Sequence, residues 1–279
     1  LMGDYHLQSD SPARDAGAES KEGISAPSLD IDDDGRPQGA AFDAGADEFF
    51  EGRIGLMTTA VLDDFNQPDG PLVAAVSTQA DLAGSWSGDA ESFTIVNQEV
   101  EVQDNGSAWW STETFGPDQE AYFTLTGIAA DWHEQALMLK LTGDPDAIDS
   151  SLVEIRFDAT SGISGTVQVW SKSLENGWVL HGSVAAPLSP GDVLGGSIQT
   201  NGTVDVLRNG HVIYTVNLRS GPTPWPEALV SAGGKIGVRF VGPDFTANEA
   251  RFDDFGGGNW DPQAQMPWRI FLPIILSSQ

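Results

Sequence analysis

The sequence predicts an all-β protein, most of it a two-sheet antiparallel sandwich. Three observations predict it. About a dozen short runs rich in β-branched and aromatic residues follow one another over roughly 200 residues, separated by Gly, Asn, Asp and Pro. Several alternate cleanly: Val153, Ile155 and Phe157 point one way, and Glu154, Arg156 and Asp158 the other. No segment keeps a helical period.

The elements follow in order. Residues 1–52 are a separate zone, in which thirteen acids face three bases (Arg14, Lys21, Arg36) and Gly, Pro, Ser and Asp dominate. Alone this zone cannot bury a core. From Leu56 the runs predict strands at 56–65, 93–102, 121–128, 136–142, 152–158, 165–172, 177–184, 193–199, 202–208, 211–217, 235–241 and 249–255. In the sixth, Val167 and Val169 oppose Gln168, Trp170 and Lys172. Asn209-Gly210, between two apolar strands, is a strong hairpin signal. Trp109 and Trp110 follow Asp104-Asn-Gly-Ser-Ala and are read as a loop. Residues 259–266 read as a linker, and the apolar tail 267–279, broken by Pro267 and Pro273, is too short to span a bilayer. The predicted domains are therefore 1–52, 53–258 and the tail 259–279.

Composition removes several function classes. Net charge is −28, from 41 acids and 13 bases, so nucleic acid and anionic lipid are poor partners. With no cysteine there are no disulfides and no thiolate zinc sites, and four separated histidines (His6, His133, His181, His211) do not suggest a histidine-rich metal site. No membrane span is expected. The chain opens at Leu1 without a basic and apolar leader, which suggests a piece of a longer protein.

Asp30-x-Asp32-x-Asp34-Gly35 begins like a helix–loop–helix calcium loop. That loop requires a bidentate Glu at position 12, which here is Ala41, and the flanks are not helical. A different pattern fits better. "DYHLQSDSPARDAG" (4–17) and "DIDDDGRPQGAAFDAGADEF" (30–49) resemble the closing coils of bacterial right-handed parallel β-helices of the choice-of-anchor type. The matching residues are Tyr5, Leu7, Ser11, Pro12, Asp15 and Gly17, then Asp30, Gly35, Arg36 and Pro37, then Asp43, Gly45, Ala46 and Glu48. The resemblance implies a β-helix-cap-like segment that blunts an open edge, with Arg36 pairing Asp15, Asp43 or Glu48. It also implies an extracellular or cell-surface bacterial protein.

"VLDDFNQPDGPL" (61–72), "GDVLGGSIQTNGTVDVLRNGHVIYT" (191–215) and "NEARFDDFGGG" (248–258) resemble the opening, central hairpin and closing strand of concanavalin A-like, laminin-G-like jelly rolls. The whole is then a two-sheet antiparallel jelly-roll sandwich preceded by an irregular segment. The resemblance implies a sugar-binding or adhesive module, sometimes with structural calcium, and some relatives are glycoside hydrolases.

Three readings stand. The first is a non-catalytic carbohydrate-binding or adhesion module whose partner is a polysaccharide or glycan. Trp170 shares a strand face with Gln168 and Lys172, and neighbouring strands add Glu154, Arg156, Asp158 and His181. The second is a jelly-roll glycoside hydrolase. Its family places acids at alternate positions of one strand; here "EIRFD" (154–158) has Arg156 at the centre, and Glu154 and Asp158 have Cα atoms ~13 Å apart. The arginine is expected to hold both acids ionised. "GSWSG" (84–88) centres on Trp86 and is no serine-hydrolase elbow. The third is a structural surface protein that self-associates through Ile270–Leu276; the other fate of that tail is a strand added to its own domain. Structural calcium is expected between the opening pair Asp63, Asp64 and the closing pair Asp253, Asp254, on strands expected to be neighbours.

Overall fold

The computed structural model describes residues 11–21, 23–27, 36–37, 41–45, 57, 59–72, 86–160, 165–242 and 250–261. The Asp30–Asp34 turn, Tyr5, Leu7, Glu48 and the tail 267–279 lie outside the described residues. The chain divides into two compact units, Leu1–Arg53 and Ile54–Gln279.

In the first unit, strands β1 (Ser20–Lys21) and β2 (Ile24–Ser25) pair antiparallel around Gly23, whose φ of 83° suits a tight turn. Asp15 ties two stretches together: its carboxylate accepts from Ala41 N at 2.9 Å, and its own N–H donates to the buried Asp43 carboxylate. Arg36 does meet Asp43, donating to its backbone carbonyl at 2.8 Å, while its guanidinium lies over the Phe42 ring. Gly17 is required by close approach, since a Cβ there would fall 2.4 Å from the Asp43 carbonyl oxygen.

The second unit is an all-β jelly-roll sandwich. Its strands are β3 (Val61–Asp63), β4 (Gly70–Pro71), β5 (Trp86–Gly88), β6 (Phe93–Val96), β7 (Glu99–Val102), β8 (Gly106–Trp110), β9 (Gln119–Gly127), β10 (Glu134–Thr142), β11 (Ser151–Asp158), β12 (Thr166–Ser173), β13 (Gly177–Ala185), β14 (Val193–Ile198), β15 (Thr203–Arg208), β16 (His211–Asn217), β17 (Lys235–Val241) and β18 (Arg251–Asn259). One sheet runs β13-β12-β11-β10-β17-β8-β5. The other runs β16-β15-β14-β9-β18-β7-β6-β4, with β3 added on β18. Among the described residues the helical content is one turn, α1 (Glu227–Val230), and a short 3-10 turn at Ala90–Ser92.

Most predicted runs coincide with a strand, and two departures have local causes. Run 93–102 is two strands, because Asn97 (φ 53°) and Gln98 (φ 69°) form a left-handed two-residue turn of the hairpin type. Trp109 and Trp110 belong to strand β8, paired with β5 and β17. Trp110 is fully buried and packs edge-on to Trp86 at 5.8 Å. The Asn209-Gly210 turn forms as expected, with φ of 51° and 81°.

The two sheets face each other across one core. Val153, Ile155, Phe157, Val167 and Val169 point into it. On the facing sheet Gly196 leaves room for Ile155, whose Cδ1 would lie 1.8 Å from a Cβ there. Phe252 sits among Phe65, Phe93, Phe123 and Phe240, with ring centroids 5.3–6.2 Å away. β13 is the outermost strand of its sheet, and its nine residues include no Asp, Glu, Lys, Arg or Pro.

Candidate functional site

The outer face of the seven-stranded sheet carries the sequence-predicted residues of β11 and β12. Antiparallel register sets Glu154 beside Trp170, Arg156 beside Gln168, and Lys172 beside Trp178 of β13. Alternation delivers them there: each flanks a buried aliphatic that anchors the strand.

Half of this face is closed. Met138, Leu141 and Leu152 are buried on it with Trp109 packed against them, forming a small second core. The β10–β11 loop, residues 143–150, folds over the sheet and is held by Lys172. The Lys172 ammonium donates to Pro145 O at 2.5 Å, Ala147 O at 2.8 Å and Ser150 Oγ at 3.0 Å. Lys172 is therefore a clamp rather than a free ligand contact, and burial pushes its pKa down.

Beside the clamp lies a buried ion network. Arg156 Nη2 bonds Glu134 Oε1 at 2.6 Å and Glu154 Oε2 at 2.7 Å. Arg239 adds Glu134 at 3.3 Å, Glu154 at 3.6 Å and Asp146 of the loop at 3.0 Å. Glu154 is 0% exposed, and its Oε1 accepts no hydrogen bond. Burial first, then Glu134 beside it, push the Glu154 carboxyl well above the usual range, against the pull of Arg156 and Arg239. Desolvation thus opposes the expected hold of the arginine on this acid. Glu134 and Arg239 are placed here by strand pairing, and no local sequence signal marks them.

The open half carries the aromatics. The Arg156 guanidinium lies 4.9 Å from the Trp170 ring centroid and 5.8 Å from that of Trp178. Trp170 Nε1 donates to Gln168 Oε1 at 2.7 Å, and Gln168 Nε2 reaches Asp158 at 3.3 Å. Trp170 is half-buried, while Trp178 and Leu180 are exposed. The sequence reading passed over Trp178, although it opens a strand that alternates with Val179.

His181 is not part of this face. A bulge between the β12 and β13 registers turns its ring to Ser171, with Nε2 2.7 Å from Ser171 Oγ, and Ser171 points the opposite way from Trp170. Burial lowers the His181 pKa.

The opening and closing acids do sit on paired strands, with Asp63 opposite Phe255. Asp63 is committed to hydrogen bonds within the protein. Asp63 is buried at 1% exposure, and both its oxygens are occupied: Oδ2 accepts from Trp86 Nε1 at 2.9 Å, Oδ1 from Phe65 N at 3.1 Å and Gln67 Nε2 at 3.3 Å. Among the described residues no three His, Asp or Glu side chains are grouped to hold a metal ion. Asp64, Asp254 and Glu99 instead act on Asp253 by repulsion. Burial, with those three acids nearby, raises the Asp253 pKa to about 6. Its folded pKa therefore exceeds the unfolded value near 4. Between those values the folded chain keeps a proton that the unfolded chain has lost, so stability falls as pH rises through this window. Asp253→Asn is expected to raise the melting temperature at pH 7 and to have little effect at pH 4. Thermal melts at both pH values check this, and an equal shift at both would remove the repulsion from the account.

No protein-family model matches the chain, and no curated protein matches it in sequence. Similar solved structures include carbohydrate binding module CBM66 from Bacillus subtilis, at 12% identity over 62% of this chain and 94% of that one, with a TM-score of 0.40. A mutant of the carbohydrate recognition domain of Emp46p is similar at 11% identity over 73% and 99%, with a TM-score of 0.44. The exoplasmic/lumenal domain of VIP36, in a Ca2+/Man3GlcNAc-bound form, is similar at 13% identity over 72% and 95%, again with a TM-score of 0.44. Among the described residues no helix is long and apolar enough to cross a membrane.

Proposed function

We propose that the sandwich is a non-catalytic glycan-binding module that works through the open half of this outer face. The observation that carries the reading is the pair Trp170 and Trp178, both within 6 Å of the Arg156 guanidinium and both reachable from solvent. Sugar recognition joins flat aromatic faces to polar groups in fixed positions. Arginine stacking holds the rings, while Gln168 and Asp158 border them. Lys172 and Glu154 support this platform from beneath rather than touching the ligand.

Hydrolysis has one observation in its favour. Glu134 and Glu154 both bond the same Arg156 nitrogen, so two carboxyl groups are paired on this face, as glycosidases require. Against it, Glu154 is wholly buried and the same arginine fills the space between the acids. An extracellular or cell-surface setting and an adhesive role are supported by the acidic composition and by the β-helix-cap resemblance of residues 1–52. Self-association through the tail rests on residues outside those described.

A glycan array with the full chain tests the reading, and Trp170→Ala should weaken binding to the glycans found by about 1 kcal/mol or more with little loss of stability. Release of new reducing ends would transfer the assignment to hydrolysis; an empty array would remove it.

A further inference from the structure

We infer that the glycan is a neutral one and that Trp178 is its principal stacking surface, an inference that rests on the glycan-binding reading above. It comes from the state of the three cations in the ion network and clamp. The three hydrogen bonds of Lys172 all go to loop 143–150. Arg156 Nη2 holds two glutamates. Arg239 uses Nη1 on Ser107 Oγ at 2.7 Å, Nη2 on Asp146 and Nε on Glu134. Against these three cations stand Glu134, Glu154, Asp146 and Asp158. A uronate or sulfate group arriving here finds the Lys172 ammonium and Arg156 Nη2 already engaged and meets a chain of net charge −28.

The groups left open fit a sugar without charge. Trp178 is 38% exposed, and Leu180, on the same face two residues on, is 46% exposed. Lys172 and Arg156 lie 5.7 and 5.8 Å from the Trp178 ring centroid, so the ring is held in place before any ligand arrives. The exposed Ser183, opposite Gln168, presents a hydroxyl, and the half-buried Asp158 presents a carboxylate. Hydroxyl and carboxylate oxygens accept from sugar hydroxyls, and the indole takes the C–H face of a pyranose. Trp170 contributes less, because it is half-buried and the Arg156 guanidinium lies over its ring at 4.9 Å.

Affinity electrophoresis of the full chain through gels containing soluble mixed-linkage β-glucan, galactomannan or polygalacturonate separates the possibilities. The expected result is retardation by a neutral polymer, unchanged between low and high salt, and weakened about five- to ten-fold by Trp178→Ala in a variant with an unchanged circular dichroism spectrum. Retardation by polygalacturonate alone, relieved by salt, overturns the neutral-ligand inference and leaves the glycan-binding reading standing. Neutral binding that survives Trp178→Ala overturns the role of Trp178. Retardation by none of the three overturns the inference together with the reading beneath it.

Discussion

Arg156→Met is expected to destabilise the sandwich by about 3–5 kcal/mol, the range for stripping the partner from buried charges. The methionine fills much of the volume of the arginine stem but leaves the buried Glu134 and Glu154 with Arg239 as their remaining cation, at 3.3 and 3.6 Å. Total stabilities of such domains are about 5–15 kcal/mol, so the loss is a large share. Glu154→Gln is the informative counterpart. In the wild type the Glu154 carboxyl titrates above its unfolded value, so its contribution to stability is greatest at low pH and declines as pH rises through the folded pKa. The amide does not titrate. The stability of Glu154→Gln relative to wild type should therefore improve as pH is raised from mildly acidic to mildly alkaline. Urea unfolding of both variants across that range provides the check. A small loss for Arg156→Met would mean that water enters the network and screens it.

Phe252→Ala is expected to cost about 3–5 kcal/mol by a different route. Phe252 is fully buried on β18, the strand that joins β9 to β7 and β3. Its ring stacks on Phe240 across the sandwich, with centroids 5.3 Å apart and planes at 12°. Phe65, Phe93 and Phe123 close around it, so no single neighbour can relax into the vacated volume. Phe252→Leu keeps most of that volume and should cost well under half as much. Urea midpoints at unchanged m-value would report both losses cleanly. Equal effects of the two substitutions would show that the rings are loosely packed.

What the sequence disclosed, and what it withheld, follows from the range of each signal. The face assignments of β11 and β12 were legible because alternation is a property of adjacent residues. The Asn209-Gly210 turn was legible because two neighbouring residues determine it. β8 was missed because its small first residues, Gly106, Ser107 and Ala108, look like a turn; Gly106 is small because Ser92 and Asp89 pack against it, with a Cβ meeting Asp89 Cβ at 2.9 Å. The bulge that turns His181 inward adds one residue to one strand, which no composition betrays. The roles of Lys172, Glu154 and Asp63 depend on Pro145, Glu134 and Trp86, each about twenty residues or more away in the chain. For those, only pairing in three dimensions distinguishes a ligand contact from a clamp.

The uncharged outer strand β13 gives the acidity of the rest of the chain a colloidal role. A nine-residue strand with open backbone groups and exposed Trp178 and Leu180 is a template for joining sheet to sheet. Nothing along the strand itself repels a second copy; long-range repulsion from the remaining surface does. That repulsion is set by pH and ionic strength and vanishes near the isoelectric point of about 4.1. Lowering the pH toward that point, or adding salt, is therefore expected to favour edge-to-edge contact between copies, which light scattering against pH would report.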